Sequence, residues 1–226
     1  MGDRRRGHDT KERILAEACR VFGEKGFRDA THAEICRQAG TNVASVNYYF
    51  ESKEVLYRAA FEHLAETADT LYPLDGGLPA SCPPQRRLRA FIHSFLRRGF
   101  DPERLGSLHR IRMAEMFDPT GLLAEPLARR LAQDRDHVLN ILRELLGPQA
   151  TQEDVESCEL SIVGQCIMAS PGPGDRGPRA IFGLTAADVD RLTEHILKFS
   201  LAGIKAIARK SVKHPEGEHK WIGNTR

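Results

Sequence analysis

Ser45, Asn47, Tyr48 and Tyr49 lie in one short run between a glycine at position 40 and a lysine at position 53. A side-chain amide presents a donor and an acceptor together, which fits the N6 and N7 edge of adenine, while Val43 or Ala44 suits a thymine methyl. Lys53 at a helix start combines its own charge with free backbone N–H groups, a combination that holds phosphate. These groups read DNA only if one rigid helix carries them on an exposed face, so the elements around them decide the case.

Those elements are signalled. Cys36 is small where two helices must cross, Gly40 supplies a tight turn, and Val46 points back inward, the steric pattern of a helix-turn-helix. Thr31 with Glu34 has capping-box spacing, and Asn42 is placed to cap the second helix. In that helix Val43, Val46 and Phe50 share the inward face and leave Ala44, Ser45, Asn47 and Tyr48 outward. Tyr49 and Phe50 also fit as plain core aromatics, and Lys53 as a solvated lysine. A preceding helix is predicted from Asp9, with Ile14, Leu15, Ala18, Val21 and Phe22 in helical period and Gly26 at its end; Ser52 caps a further helix from Lys53 to about Tyr72.

The strings TKERILAEACRVFGEKGF, ATHAEICRQAG and VNYYFESKEVLY resemble the DNA-binding domain of TetR-family transcriptional regulators. VNYYFESKE is most similar to the CecR-type members, and RIRMAEMFDP and IVGQCI resemble segments of their C-terminal domain. The resemblance implies an all-α protein that binds a palindromic double-stranded DNA operator as a homodimer, usually as a repressor. It also implies base-facing or near-base positions at Val43, Ala44, Ser45 and Asn47, and backbone contacts from Thr31, His32, Tyr48, Tyr49 and Lys53. An unknown small-molecule effector in the C-terminal domain is implied too. Residues suited to its pocket are Phe91, Phe95, His109, Arg112, Met113, Met116, Phe117 and Gln165, whose periodicity serves ordinary packing equally well. His109 and Arg112, one turn apart, suit an anionic or polar effector group.

The remaining chain reads as helices, about nine in all, with no convincing strand. The expected division is a flexible basic arm over 1–8, a DNA-binding domain over 9–57 with a linking helix over 53–72, an effector and dimerisation domain over 58–210, and a polar tail over 211–226. Pro73 to Pro84 and the Gly- and Pro-rich run from Pro171 to Leu184 are loops. Asp101 and Pro102 open a helix carrying Leu105, Leu108 and Ile111; a long stretch runs from about Gly121 to Leu146; Thr151 and Thr185 cap the last two helices. Those last two are apolar on more than one stripe. Val155, Ile162 and Val163 in one, and Leu192, Ile196 and Phe199 in the other, suit a two-fold four-helix bundle between subunits, or central positions within one subunit.

Composition excludes several classes. A net charge of +2 over 226 residues is no polycation, so DNA affinity must come from a local patch, beginning with Arg4, Arg5 and Arg6. No apolar run is long enough for a bilayer and the basic start lacks a hydrophobic segment, so a cytoplasmic protein without a membrane partner is expected. Five scattered cysteines form neither a disulfide framework nor a zinc site; Cys158 and Cys166 on one face leave a redox-responsive regulator as an alternative. G-x-S-x-G, P-loop, H-E-x-x-H and G-x-G-x-x-G motifs are lacking, so no enzyme, metal or cofactor is expected. His214 and His219 can catch a divalent ion, though a polar tail explains them as well. A helical protein-interaction module would account for the last helices but not for the segment from Thr31 to Tyr57.

Overall fold

Side-chain oxygens mark where several helices begin. In the computed structural model, which describes residues 2–101, 104–170 and 182–213 and the side chains of residues 8–101, 104–170 and 182–209, the first element is α1 (Gly2–Asp29). It is followed by α2 (His32–Gln38), α3 (Val43–Phe50) and α4 (Lys53–Leu71). Then come α5 (Pro84–Phe100), α6 (Gly106–Phe117), α7 (Ala124–Leu146), α8 (Gln152–Ala169), a 3-10 turn (Ala186–Asp188) and α9 (Val189–Lys213). No strand occurs among the described residues. The fold is all-α, as the apolar periods required.

Helix α1 begins at Gly2, ahead of the expected Asp9, so the backbone of the basic arm is already helical. The segment DRRRGHDT contains no proline, and His8 pairs with Glu12 across one turn at 3.1 Å, so nothing forces a start at Asp9. Gly26, at φ 74 and ψ 177, breaks the helix as expected and turns Phe27 back. The Phe27 ring then lies 6.3 Å from Phe22 and 5.1 Å from Tyr57. Asp101 accepts from the Arg104 amide at 2.9 Å, but this forms a turn; the helix proper starts at Gly106. Thr151 and Asp154 exchange hydrogen bonds in a complete capping box. Residues 171–181, most of the expected loop, and the histidines of the tail lie outside the described residues.

Apolar burial divides the helices into two cores. Residues of α1 to α4, among them Ile14, Phe22, Ile35, Val46, Phe50 and Tyr57, pack with Leu108 and Ile111 of α6 and Leu127 of α7. The second core joins α5, the later part of α7, α8 and α9 through Leu88, Phe91, Ile141, Leu142, Ile162 and Ile196. The division therefore does not follow the expected boundary after residue 57. All of α4 and one side of α6 belong with the helix-turn-helix, because their apolar faces have α1 as partner. Polar contacts tie the two cores together: Arg98 donates to the Tyr72 carbonyl at 2.9 Å and to Asp69 at 3.0 Å, and Arg130 also reaches Asp69, at 2.6 Å.

Candidate nucleic-acid interface and internal cavity

The helix-turn-helix is assembled by short-range bonds. The Thr31 hydroxyl accepts from the Glu34 amide at 3.2 Å, which starts α2. The reciprocal half of the expected capping box is replaced, since Glu34 pairs with Lys25 of α1 at 2.7 Å. Gly40 takes φ 61, and the Thr41 amide returns to the Cys36 carbonyl at 2.9 Å, closing the turn that a side chain would strain. Cys36, Ala39 and Val46 are buried at the crossing. Asn42 Oδ1 accepts from the Ser45 amide at 2.9 Å and from its hydroxyl at 3.1 Å, starting α3.

This leaves α3 with an outward face of Val43, Ala44, Asn47 and Tyr48, all exposed. Val43 is 44% exposed rather than inward, because it sits in the first turn beyond the reach of the core that holds Val46 and Phe50. Ser45 is half-buried and its hydroxyl proton is donated to Asn42, which leaves only its acceptor lone pairs for another partner. Tyr48 is 78% exposed and meets Tyr49 edge to face at 5.0 Å, while Tyr49 packs partly on the core. His32 is half-buried, and its Nε2 is enclosed without a hydrogen-bond partner among the described residues. The Lys53 ammonium lies 4.5 Å above the Phe27 ring and donates to the Arg28 carbonyl at 3.3 Å, so it closes the end of α1 as well as standing at the start of α4. The side chains of Arg4, Arg5 and Arg6 lie outside the described residues.

A second site is a cavity of about 260 Å³, partly open to solvent, between α5, α6, α7 and α8. Phe91, Phe95, His109, Arg112, Met113 and Met116, six of the eight residues suited to an effector pocket, line it. Phe117 and Gln165 do not: Phe117 at the end of α6 is 82% exposed, and the Gln165 amide turns back to the Ser161 carbonyl at 3.0 Å. Arg98, Leu108, Leu131, Asp134, Arg135, Val138, Glu159, Val163 and Ile167 complete the lining. Leu108 and Val163 lay on apolar helical periods in the sequence, but nothing local marked which apolar residues face a void or that Arg98, Asp134, Arg135 and Glu159 join them. Arg112 pairs with Asp134 at 3.0 Å, both largely enclosed. Burial, then the neighbouring Arg112 and Arg110 charges, push the His109 imidazole down to about 4, so it is neutral at pH 7.

The expected subunit contacts also divide. Val155, Ile162 and Ile196 are buried in the second core, Val163 lines the cavity and Leu192 packs against the core; Phe199 alone of the six is freely exposed, at 65%. Their apolar stripes are spent on α5 and α7 within the subunit. The large apolar side chains left outward on α8 and α9 are Leu160, Met168 and Phe199. The redox alternative loses its physical basis: Cys158 and Cys166 are buried, burial raises both thiols, and Cys166 is pushed up to about 12. Among the described residues, no helix is long and apolar enough to cross a membrane.

A capped helix, a positive-φ glycine turn and a second helix with an exposed face define a helix-turn-helix of DNA-binding type. Residues 14–60 match the family model for bacterial regulatory proteins of the tetR family. Residues 84–204, more than half of the chain, match the C-terminal domain of the HTH-type transcriptional dual regulator CecR. The chain belongs to the TetR family of transcriptional regulators, with a CecR-type C-terminal domain, and this is not a family of enzymes. It is 44% identical to CecR of Shigella flexneri over 61 residues, covering 27% of each protein, so the chain spans about a quarter of the length of that relative. The regulator BetI of Rhizobium meliloti (strain 1021) is 29% identical over 71% of this chain and 77% of its own. A TetR transcriptional regulator from Chloroflexus aurantiacus J-10-FL has the same fold, with a TM-score of 0.67 at 20% identity over 86% of this chain and 96% of that one.

Proposed function

We propose that the protein is an operator-binding repressor, active as a homodimer and released when a small molecule occupies the cavity. The observation that carries this reading is the exposed α3 face, where Asn47 has no competing side-chain partner among the described residues. Asn47 reads a base, Val43 and Ala44 offer apolar contact, and Tyr48 and the start of α4 meet the DNA backbone. Two copies of α3 related by a two-fold axis require a palindromic site, and exposed Leu160, Met168 and Phe199 favour α8 and α9 as the paired helices.

Helix α6 gives the cavity a route to the reading head. One side carries His109, Arg112, Met113 and Met116 into the cavity. The other carries Arg110, which donates to the Gly23 carbonyl of α1 at 2.9 Å, and Glu115, which accepts from the Tyr57 hydroxyl of α4 at 2.9 Å. A ligand that favours one position of α6 therefore biases the spacing of the two α3 helices. Selection of bound duplexes from random DNA, followed by shift assays on the enriched site, tests the reading. A palindromic sequence bound far more tightly than random duplex is expected; affinity for random duplex equal to that for any enriched sequence refutes it.

A further inference from the structure

The chemistry of the cavity narrows what can fill it. Among the described residues Nη2 is the only Arg112 nitrogen with a hydrogen-bond partner, Asp134 at 3.0 Å, although the side chain is only 15% exposed. A guanidinium carries further N–H donors on its other nitrogens, and these are available to a group that enters the cavity. One turn earlier on α6, His109 is 8% exposed, lines the same cavity, and its imidazole has no hydrogen-bond partner among the described residues. Both groups come from one rigid helix. The other two lining arginines are engaged, Arg98 with Tyr72 and Asp69, and Arg135 with Glu156 and Glu159. The apolar part of the lining includes Phe91, Phe95, Leu108, Met113, Val163 and Ile167.

We propose that the cavity takes an amphipathic organic anion, a carboxylate with an apolar body, whose head group is held by Arg112 and His109. The carboxylate accepts from the unspent Arg112 donors and from the imidazole N–H, while the apolar body replaces the empty volume against the phenylalanine and methionine walls. The lining carries three guanidinium groups, Arg98, Arg112 and Arg135, against the two carboxylates of Asp134 and Glu159, so a cationic ligand meets an excess of like charge. The inference rests on the reading of the cavity as an effector site, and its test is separable from that reading.

Calorimetric titration of the full chain at pH 7.5 with octanoate, octylamine and octanol tests the charge preference directly. Octanoate is expected to bind roughly tenfold more tightly than either other probe, the ratio for one charge-assisted hydrogen bond. Asp134→Asn frees Arg112 and is expected to tighten octanoate severalfold without moving octanol. The double variant Arg112→Gln with Asp134→Asn, which leaves no unpaired buried charge, is expected to bring octanoate to the level of octanol. Tighter binding of octylamine, weaker octanoate binding in Asp134→Asn, a preference that survives the double variant, or no binding of any probe overturns the proposal. DNA release is then measured on the selected operator. Octanoate that binds as expected without altering DNA affinity defeats the effector reading alone; a cavity that prefers the amine and releases DNA defeats the inference alone.

Discussion

Asn47 and Ser45 stand two residues apart on α3, and of the two only Asn47 keeps both a donor and an acceptor, since the Ser45 hydroxyl proton is donated to Asn42. Asn47→Ala is therefore expected to cost ~1–3 kcal/mol on the correct operator and to relax one base position. Equal losses on operator and random duplex in a shift assay would remove Asn47 from base reading. Lys53→Ala acts differently, because its ammonium also closes α1 against Phe27 and Arg28. It is expected to lower both the urea midpoint and the affinity for every sequence, with a shallower salt dependence; an unchanged urea midpoint would remove the α1-closing role. His109 gives a pH signature. Its folded pKa of about 4 lies below the ordinary 6.5, so between those values the unfolded chain holds a proton that the folded chain refuses. Stability from this group is complete above 6.5 and falls by up to about 3 kcal/mol as the pH drops towards 4. In His109→Gln that component disappears, which urea midpoints at pH 7 and 4.5 measure; identical slopes in variant and parent would discount it.

At the level of elements, the approach of α1 to α6 depends on Gly23. A Cβ added there would stand 2.3 Å from the Ser107 Oγ, 2.4 Å from its Cβ and 2.8 Å from its Cα. Alanine would gain about 0.5–1 kcal/mol of helix preference in α1, but forcing the two helices apart costs about 1–3 kcal/mol. Gly23→Ala is thus expected to be net destabilising, with partial recovery when Ser107→Gly is added. A urea midpoint unchanged or raised in Gly23→Ala would mean that α1 and α6 are not in this contact. The same contact explains why α6 belongs with the first core. Its role was not readable beforehand, because α6 presents one ordinary apolar period and its second partner, Gly23, is 84 residues away from Ser107.

For the whole molecule, the proposed dimer surface is the outer side of α8 and α9. Leu160 and Phe199 are 75% and 65% exposed, so a charge placed there leaves the subunit core untouched. Leu160→Glu with Phe199→Glu is expected to sediment as the 25.3 kDa monomer and to lose operator affinity while melting normally. A dimer that persists in this variant would move the interface elsewhere. Val155, Ile162 and Ile196 would have been the wrong positions for such a test, since changing them opens the second core.

Local chemistry alone determined the helix starts at Thr31, Asn42, Ser52 and Thr151, the turn at Gly40 and the outward positions of Ala44, Asn47 and Tyr48, because capping and helical period act within a turn or two of chain. Tertiary structure alone decided that Lys53 turns to Arg28, that Glu34 leaves its capping box for Lys25, and that Val163 meets a cavity while Ile162 meets α5 and α7. Each of those outcomes is a choice between partners far apart in the chain. An apolar stripe records that a helix has a neighbour, and only packing records which one.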